Sequence, residues 1–347
     1  MKNLVLVSSP LQAINTLESI KYFNLVDYKI IIFNNNENAY LSITDIFEQN
    51  KVKAYNRAHF KSFVELIKYF IKYKSSLKTV DKLFIGDFED ISQLMYASCF
   101  FGKKTNVVFI DDGNKTILGY INNFNITSSR KLISLGWRLK YNILDLFINR
   151  SLMIRNSTVF SIYTPQIKEK FNFIKNNMHS LKQKITSSNS RKGIYIIGSP
   201  YIELSLIDST TFIKGIDYII NKHKSASVFY IPHRKELMNK FNHLLSNEKF
   251  NIIDNKTTIE LFFIKKQIYP KFVYGFGSSA LFTIKELFKK TEIVNLSFDL
   301  LNNFALNHSK KSKAKIQSEY QILEDYYTSF GIKKISLTSK NKEFLQS

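Results

Sequence analysis

The sequence has few of the residues that build cross-linked or metal-organised folds. Cys99 is the one cysteine among 347 residues. One thiol cannot form an internal disulfide or a zinc site made of several cysteines, so neither kind of link organises the fold. This scarcity excludes a disulfide-built secreted scaffold and favours a reducing compartment.

Long apolar runs are absent as well. No stretch of the sequence approaches the roughly 18 apolar residues that a membrane-spanning helix requires. The first apolar run, Leu4–Val7, is shorter than the hydrophobic region of a signal peptide, which has about 7–15 residues, and is typical of a buried parallel strand. We therefore expect a cytoplasmic protein that is soluble or lies peripherally at the inner face of the cell membrane.

Acidic residues are few relative to basic ones. The chain has 50 lysines and arginines against 28 aspartates and glutamates, which gives a net charge of +22. This charge is spread along the chain and is densest at residues 310–315. A solvated surface, contact with an anionic membrane and an anionic substrate are all compatible with it. Nucleic acid is not expected as a partner, because no RNA-binding aromatic motif, zinc finger or KH loop is present.

Short apolar runs alternate with longer amphipathic segments along the chain. This alternation predicts strands joined by helices, and therefore parallel sheets in an α/β fold. Ser9 is expected to cap the first helix and Pro10 to occupy its first turn. The predicted strands are Leu4–Ser8, Lys29–Phe33, Lys82–Ile85, Asn106–Ile110, Val159–Tyr163, Gly193–Ile197, Ala226–Ile231, Phe250–Ile253, Phe272–Tyr274 and Glu292–Leu296.

The middle of the chain differs in composition from both ends. Residues 166–191 are rich in lysine and end in a polar run, which indicates a charged helix followed by a linker. We therefore predict an N-terminal domain at 1–165 and a C-terminal domain at 192–347, with a terminal helix that could pack back on the N-terminal domain. Two doubly wound sheets would face a central cleft at the carboxyl ends of their strands, where ligands bind in such folds.

Two carboxylates follow one of the predicted strands. Asp111, Asp112 and Gly113 come directly after Asn106–Ile110. Neighbouring residues of an extended strand point in opposite directions, so one carboxylate can face a ligand while the other anchors the turn. A general base, a metal ligand and a plain aspartate turn with a left-handed glycine all fit this pattern. No further acidic cluster has the spacing of a metal site.

A histidine marks the end of a strand in the second predicted domain. His233 follows the strand Ala226–Ile231 after Pro232, and Arg234 and Lys235 come next. A histidine beside two cations suits a phosphate group whose negative charge increases during a reaction. A surface turn is the alternative.

A turn rich in glycine and serine follows the strand Phe272–Tyr274. Gly277, Ser278 and Ser279 precede a helix, where a serine can cap the helix and free N–H groups can face an anion. A plain strand–turn–helix connection is the alternative. The turn is neither a Walker loop nor a dinucleotide-binding motif, because its glycines and serines do not have the spacing that either motif requires.

Two further positions belong to the same pattern. Gly198 ends the first strand of the second predicted domain. Glu260 lies just ahead of an apolar helix, where the helix dipole favours an acid.

The motifs described above resemble those of the bacterial sialyltransferases, both in their order along the chain and in their positions at strand ends. The likeness is greatest to glycosyltransferase family 52 and the related bacterial polysialyltransferase-like proteins. Asp111-Asp112-Gly113 resembles their acidic triplet, His233-Arg234 their His-Pro dipeptide, and Ser278-Ser279 their serine pair. Arg234 stands where the family has proline, and here a proline precedes the histidine instead.

The resemblance implies a GT-B fold of two Rossmann-like domains and an inverting transferase that uses CMP-sialic acid without a cofactor or metal. Asp112 would be the general base, with Asp111 beside it in the catalytic set. A positively charged His233 would act with Ser278 and Ser279 on the phosphate of the departing CMP. The other residues on the donor side would be Gly198, Arg234, Glu260, which would hold the ribose hydroxyls, and Gly277.

The partners implied by the resemblance are the CMP-sugar donor and a glycan acceptor on the cell surface. The acceptor would be capsule or lipooligosaccharide, free or lipid-linked, and a homodimer is compatible with the family. Two alternatives stay open. One is a transferase of another CMP-activated keto sugar, such as Kdo, pseudaminic acid or legionaminic acid. The other is a nucleotide- or glycan-binding GT-B protein without turnover, which the intact Asp112, His233 and serine pair disfavour.

Overall fold

The chain forms two compact units, Met1–Ser180 and Leu181–Ser347. The structure is a computed structural model that describes residues 2–34, 36–58, 60, 63–73, 79–121, 153, 157–165, 172–185, 193–242, 244–255, 257–298 and 310–337. The polar run predicted as a linker, at 187–191, lies outside the described residues. Each unit contains one parallel sheet with helices between its strands, which confirms the predicted α/β class.

The first unit has a seven-stranded sheet in the order β3-β2-β1-β4-β5-β6-β7, with every neighbouring pair parallel. The chain starts at β1, moves outward to β3 and then returns to the other side of β1 at β4. The direction of winding therefore reverses between β1 and β4, which makes this the topological switch point of the sheet. The strands are β1 (Asn3–Val7), β2 (Tyr28–Ile32), β3 (Tyr55–Arg57), β4 (Lys82–Ile85), β5 (Asn106–Ile110), β6 (Ser157–Ser161) and β7 (Asn172–Lys175).

Six helices of the first unit are described, and the first of them shows how local sequence sets a boundary. Ser9 is in an extended conformation, and its hydroxyl accepts a hydrogen bond from the Gln12 N–H group at 3.2 Å, while Pro10 occupies the first turn. The predicted cap is thereby confirmed. The helices are α1 (Pro10–Tyr22), α2 (Glu37–Gln49), α3 (Phe63–Tyr73), α4 (Ile91–Ser98), α5 (Asn114–Ile121) and α6 (His179–Lys182), the last of which crosses the boundary between the units.

The second unit repeats the same winding in a six-stranded parallel sheet of order β10-β9-β8-β11-β12-β13. Its switch point lies between β8 and β11. The strands are β8 (Ile194–Ile197), β9 (Val228–Ile231), β10 (Phe250–Ile252), β11 (Phe272–Gly275), β12 (Glu292–Phe298) and β13 (Lys333–Leu337). The helices are α7 (Ser209–Lys222), α8 (Ile259–Lys265), α9 (Ala280–Leu287) and α10 (Lys310–Ser329), with a 3-10 turn at Met238–Phe241.

The central strands of both sheets are buried, as expected for parallel sheets covered by helices. In the second unit a group of aromatic rings fills the core behind the switch point. The Phe276 ring lies 4.7 Å from the Phe212 ring and stacks on the Phe298 ring at 5.3 Å, measured between centroids. Each such pair contributes about 0.5–1.5 kcal/mol beyond its burial, so the core supports the loop that follows β11.

The later part of the chain contains a strand that was not expected and a terminal helix that packs within its own unit. The segment predicted as a charged helix contains the strand β7 at Asn172–Lys175, so the helix prediction is wrong there. The terminal helix α10 contacts its own unit: the Tyr327 ring stacks on Phe282 of α9 at 4.4 Å. No helix in the described part of the chain is long and apolar enough to cross a membrane.

Candidate active site

In the first unit, the carboxyl ends of neighbouring strands bring polar side chains together at the switch point. β1 ends before Ser9, β4 ends before Asp87, and β5 ends before Asp112, and these strands pair in the order β1-β4-β5. The Ser9 hydroxyl donates a hydrogen bond to Asp112 Oδ1 at 3.4 Å, so residues 103 positions apart in the chain meet at this edge. Asp112 was predicted to lie at a strand end, on the edge of the sheet where ligands bind in such folds, and the structure has it at that position.

Asp112 is held by the first turn of α5. The Lys115 ammonium lies 3.5 Å from Asp112 Oδ2 and 2.5 Å from Asp87 Oδ2, so one cation bridges two carboxylates. The Asp112 N–H group donates to Thr116 Oγ1 at 2.9 Å, which fixes the backbone beneath the carboxylate. The side chain of Asp112 keeps 15% of its surface exposed, so a ligand can reach it.

The environment shifts the proton affinity of Asp112 upward. Burial, with the negative charge of Asp87 as the next cause, raises the pKa of Asp112 to about 7, and Lys115 and Gln12 oppose the rise. A carboxyl group with a pKa near neutral pH accepts a proton better than an ordinary aspartate does, while part of it remains ionised. The geometry and the pKa both fit a general base.

Asp111 has a different environment. It is 1% exposed, and its Oδ2 atom accepts a hydrogen bond from the Ile162 N–H group at 2.8 Å. Burial raises the pKa of Asp111 to about 7, but the carboxyl group has no surface on which to meet a substrate. Asp111 therefore ties the end of β5 to the end of β6, and Gly113 completes the turn with a φ of +65°.

In the second unit, the loops after β8 and β11 meet at the switch point. The Ser199 hydroxyl donates to the Phe276 carbonyl at 2.6 Å. Gly198, just before Ser199, leaves space for a neighbouring carboxylate, because a Cβ atom there would lie 2.0 Å from Glu236 Oε2. The role of Gly198 in this structure is thus to admit the Glu236 side chain.

His233 follows β9 and is partly exposed. Its Nδ1 atom accepts a hydrogen bond from the Lys235 N–H group at 3.2 Å, which assigns the proton of the neutral ring to Nε2. Burial, together with the positive charges of the adjacent Arg234 and Lys235, lowers the pKa of His233 to about 4. The expected positive charge of His233 is wrong, because a ring with a pKa of about 4 is neutral near pH 7. The ring offers an Nε2–H donor, and Arg234 beside it is exposed.

The glycine and serine turn after β11 is rigidly supported. Gly277 has a φ of +62°, and its N–H group donates to the Asn295 side chain at 2.9 Å. The Ser278 hydroxyl accepts from the Ala280 N–H group at 3.4 Å, so it provides a weak cap. Ser279 lies at the cap position of α9, but its hydroxyl makes no capping bond to the described backbone, which leaves that hydroxyl available to a ligand.

Glu260 is deeply buried at the start of α8. Its carboxylate accepts a hydrogen bond from the Thr283 hydroxyl in the first turn of α9. Burial raises the pKa of Glu260. The side chain therefore joins the N-terminal turns of two helices, and a direct contact with a ribose stays a prediction.

The described residues include all of the motif positions, and the sequence match covers them as well. Residues 3–297 match the family described as Alpha-2,8-polysialyltransferase (POLYST). The chain belongs to the alpha-2,8-polysialyltransferase family. It is accordingly a sialyltransferase that depends on CMP-sialic acid, as the resemblance of the motifs implied. No curated protein matches this polysialyltransferase-family chain significantly.

Solved structures resemble this polysialyltransferase-family chain in fold. The UDP-GlcNAc 2-epimerase of Methanocaldococcus jannaschii in complex with UDP-GlcNAc and UDP has a TM-score of 0.51 at 15% identity, over 93% of this chain and 92% of that one. The S. aureus MnaA–UDP co-structure gives 0.51 at 10% identity, over 96% and 92%. A putative UDP-N-acetylglucosamine 2-epimerase from Listeria monocytogenes gives 0.51 at 10%, over 94% and 89%. These likenesses show the GT-B type of fold, with two Rossmann-like sheets.

Several side chains of the candidate site were not predicted from the sequence. Asp87 carries the same signal as Asp112, since it follows a strand and Gly86, and it could have been found. Lys115 lies on the first turn of the helix that follows β5, where the sequence has no distinctive motif. Gln12 lies on the first turn of the helix that follows β1, in the segment Ser8–Gln12 that resembles the start of the family's proteins, but the sequence alone did not place it beside Asp112. Glu236 also lacks a motif, and only the fold shows that it is buried against the His233 turn.

Proposed function

We propose that this sialyltransferase transfers sialic acid, with inversion at the anomeric carbon, from CMP-sialic acid to a sialylated surface glycan such as capsule or lipooligosaccharide. The observation that carries the proposal is Asp112: a carboxyl group at a strand end, partly exposed and with a pKa of about 7. Such a group suits removal of a proton from an acceptor hydroxyl at neutral pH.

In the proposed reaction, the Asp112 carboxylate takes the proton of the acceptor hydroxyl. The acceptor oxygen forms a bond to the anomeric carbon of sialic acid from the face opposite the phosphate. The bond between that carbon and the phosphate oxygen breaks, and CMP leaves with the electron pair. The sugar passes through a transition state with oxocarbenium character.

The second unit supplies the groups that receive the departing negative charge. The neutral His233 ring donates its Nε2–H to the phosphate, and the hydroxyls of Ser278 and Ser279 and the start of α9 add further donors. Glu260 acts on this side by orienting Thr283, and Arg234 and Gly277 complete the donor region.

We also propose that the enzyme binds peripherally to an anionic membrane, where a lipid-linked acceptor would be held. Helix α3 supports this proposal because it has apolar side chains at its surface: Val64 is 58% exposed and Ile71 is 61% exposed. Lys68 and Lys72 on the same helix are exposed as well. An amphipathic helix with apolar and basic residues suits the interface of an anionic bilayer.

Comparison of sugar donors tests the proposed reaction. The purified protein is incubated with a fluorescent oligosialic acid acceptor and, in parallel, with CMP-sialic acid or CMP-Kdo. We expect elongation with CMP-sialic acid alone, and a new linkage whose anomeric configuration by NMR is opposite to that of the donor. Equal transfer from CMP-Kdo, or retention of configuration, would contradict the proposal.

A further inference from the structure

We propose that Glu236 is a positioning residue for sialic acid transfer: it fixes the turn that carries His233 and thereby aims the histidine at the phosphate of the donor. The inference rests on the proposed function, in which His233 stabilises the departing CMP. Its starting point is a juxtaposition in the second unit: the Glu236 carboxylate lies directly behind the His233 backbone and beside Gly198.

Two hydrogen bonds close the turn between His233 and Glu236. The His233 N–H group donates to Glu236 Oε2 at 2.6 Å, and the Glu236 N–H group donates to the His233 carbonyl at 2.8 Å. The first bond has a charged acceptor, which makes it stronger than a bond between neutral groups. The Glu236 side chain is completely buried, so water does not compete for the carboxylate oxygen that accepts the first bond.

The other oxygen of Glu236 is anchored from two sides. The Tyr230 hydroxyl donates to Glu236 Oε1 at 2.7 Å, and the Lys240 ammonium lies 2.7 Å from the same atom. Lys240 also lies 2.9 Å from Glu203 Oε1, and its side chain is only 7% exposed. Buried charges persist when they are paired and hydrogen-bonded, and this arrangement meets both conditions.

The carboxylate also links two strand ends of the candidate site. Gly198 follows β8, and His233 follows β9, the neighbouring strand. A Cβ atom on Gly198 would lie 2.0 Å from Glu236 Oε2 and 2.5 Å from the Tyr230 hydroxyl. The glycine therefore leaves the space that the carboxylate occupies, and Glu236 packs between the loops that follow β8 and β9.

The consequence for His233 follows from the position of its ring. Nδ1 accepts the N–H group of Lys235, which belongs to the same turn. The conformation of the turn therefore sets the direction of Nε2–H. Misplacement of a catalytic group by about 1 Å can cost about 10²-fold in rate, so a loosened turn would weaken transfer even with the histidine intact.

The test is a double-mutant cycle on the full-length protein. Glu236→Gln keeps the size of the side chain and removes its charge, and His233→Ala removes the group through which Glu236 is proposed to act. We expect Glu236→Gln to lower kcat/KM for CMP-sialic acid by up to about 10²-fold in the natural background. In the His233→Ala background the same change should cost less than about twofold, because coupled residues are not additive.

A matched control separates this role from a general loss of a buried carboxylate. Glu286 is also buried in the second unit, and it pairs with Lys182 and with Lys289 at 3.1 Å. Glu286→Gln makes the same chemical change on α9. Glu286 lies in the last turn of this helix, at the end away from the serine turn of the candidate site. It should leave kcat/KM within about twofold of the natural enzyme. Melting temperatures and the CMP dissociation constant are measured for every variant, so the cycle can be read on binding when transfer is very slow.

The outcomes distinguish this inference from the proposed function. Equal losses from Glu236→Gln with and without His233, or a loss no larger than that of Glu286→Gln, would overturn the role of Glu236. A His233→Ala variant with natural activity would instead contradict the proposed function. If Glu236→Gln does not fold, Tyr230→Phe replaces it, since it removes one bond to the carboxylate. A loss of roughly threefold or more that disappears in the His233→Ala background supports the inference, and natural activity overturns it.

Discussion

The two units have the same winding and opposite chemistry at their switch points. In the first unit, the ends of β4 and β5 carry the carboxylates of Asp87 and Asp112 around one lysine. In the second unit, the ends of β9 and β11 carry a histidine, two serines and the start of a helix. A parallel doubly wound sheet fixes where a ligand binds, and the side chains at that edge decide what is done to it.

Burial acts on both sites, with opposite chemical results. Removal from water disfavours the charged form of any group. It therefore raises the pKa of Asp112 to about 7, where the group takes up a proton readily, and lowers the pKa of His233 to about 4, where the ring stays neutral. One unit is suited to accept a proton, and the other is suited to donate hydrogen bonds to an anion.

The largest effect is expected for Asp112→Asn. The amide keeps the shape of the side chain but cannot accept the proton, so transfer should fall by about 10²- to 10⁴-fold. The measurement is steady-state transfer from CMP-sialic acid, with melting curves as a folding control. Asp45→Asn is the matched control in the same unit, since Asp45 is bonded to Gln49 on an exposed helix face and should tolerate the change. Transfer by Asp112→Asn within tenfold of normal would remove the base from the first unit.

Changing Lys115 tests whether the acidic cluster sets the pH range of activity. The reactive form of Asp112 is ionised, so kcat/KM should rise with pH and level off above about 7. The groups that face Asp112 are Ser9, Gln12, Asp87 and Lys115, and Lys115 is the one cation among these four. Lys115→Met removes a charge that favours the ionised form, so the acid limb should move to higher pH by roughly one unit. An unchanged profile would show that another group titrates.

Ser279→Ala sharpens the assignment of the second unit to phosphate binding. Its hydroxyl makes no capping bond to the described backbone of α9, so the change should leave the melting temperature unaltered. Loss of a hydrogen bond to a charged phosphate should reduce kcat/KM by about tenfold or more. Ser278→Ala is the comparison, because its weak cap adds a stability cost of up to about 1 kcal/mol. If both variants transfer normally, the two serines do not bind the phosphate, and their role is limited to the start of α9.

The smallest effect on transfer is expected for Asp111→Ala, although the residue adjoins the base. Its carboxylate accepts the Ile162 N–H group inside the sheet. Removal leaves that group unsatisfied and should lower the free energy of unfolding by about 1–3 kcal/mol. Turnover of the folded protein should stay within about twofold of normal. A large loss of kcat with unchanged melting would give Asp111 a chemical role after all.

The strands that sequence patterns missed share a physical property. They lie at outer edges of the two sheets. They are β3 (Tyr55–Arg57), β7 (Asn172–Lys175) and β13 (Lys333–Leu337). An edge strand is half exposed, so it has no need of the continuous apolar run that marks a central strand. The central strands were predicted because burial on both faces leaves a strong signature in the sequence.

The candidate site shows the same division between local and long-range information. The positions of Asp112, His233 and Ser278 near strand ends could be predicted because each lies shortly after an apolar run. The pairing of Asp87 with Lys115 joins residues 28 positions apart, and only the order of the strands brings them together. The charge of His233 was mistaken because burial decides it, and burial of a partly covered ring has no signature in the neighbouring residues.

The most direct test of the central claim is the CMP dissociation constant of two variants, measured by titration calorimetry on the full-length protein. The claim is that the first unit supplies the proton acceptor and the second unit holds the departing phosphate. We predict that Asp112→Asn binds CMP within about twofold of the natural protein, whereas His233→Ala binds it about tenfold more weakly, as expected for a lost hydrogen bond to a charged group. Loss of CMP binding in Asp112→Asn together with normal binding in His233→Ala would contradict the account.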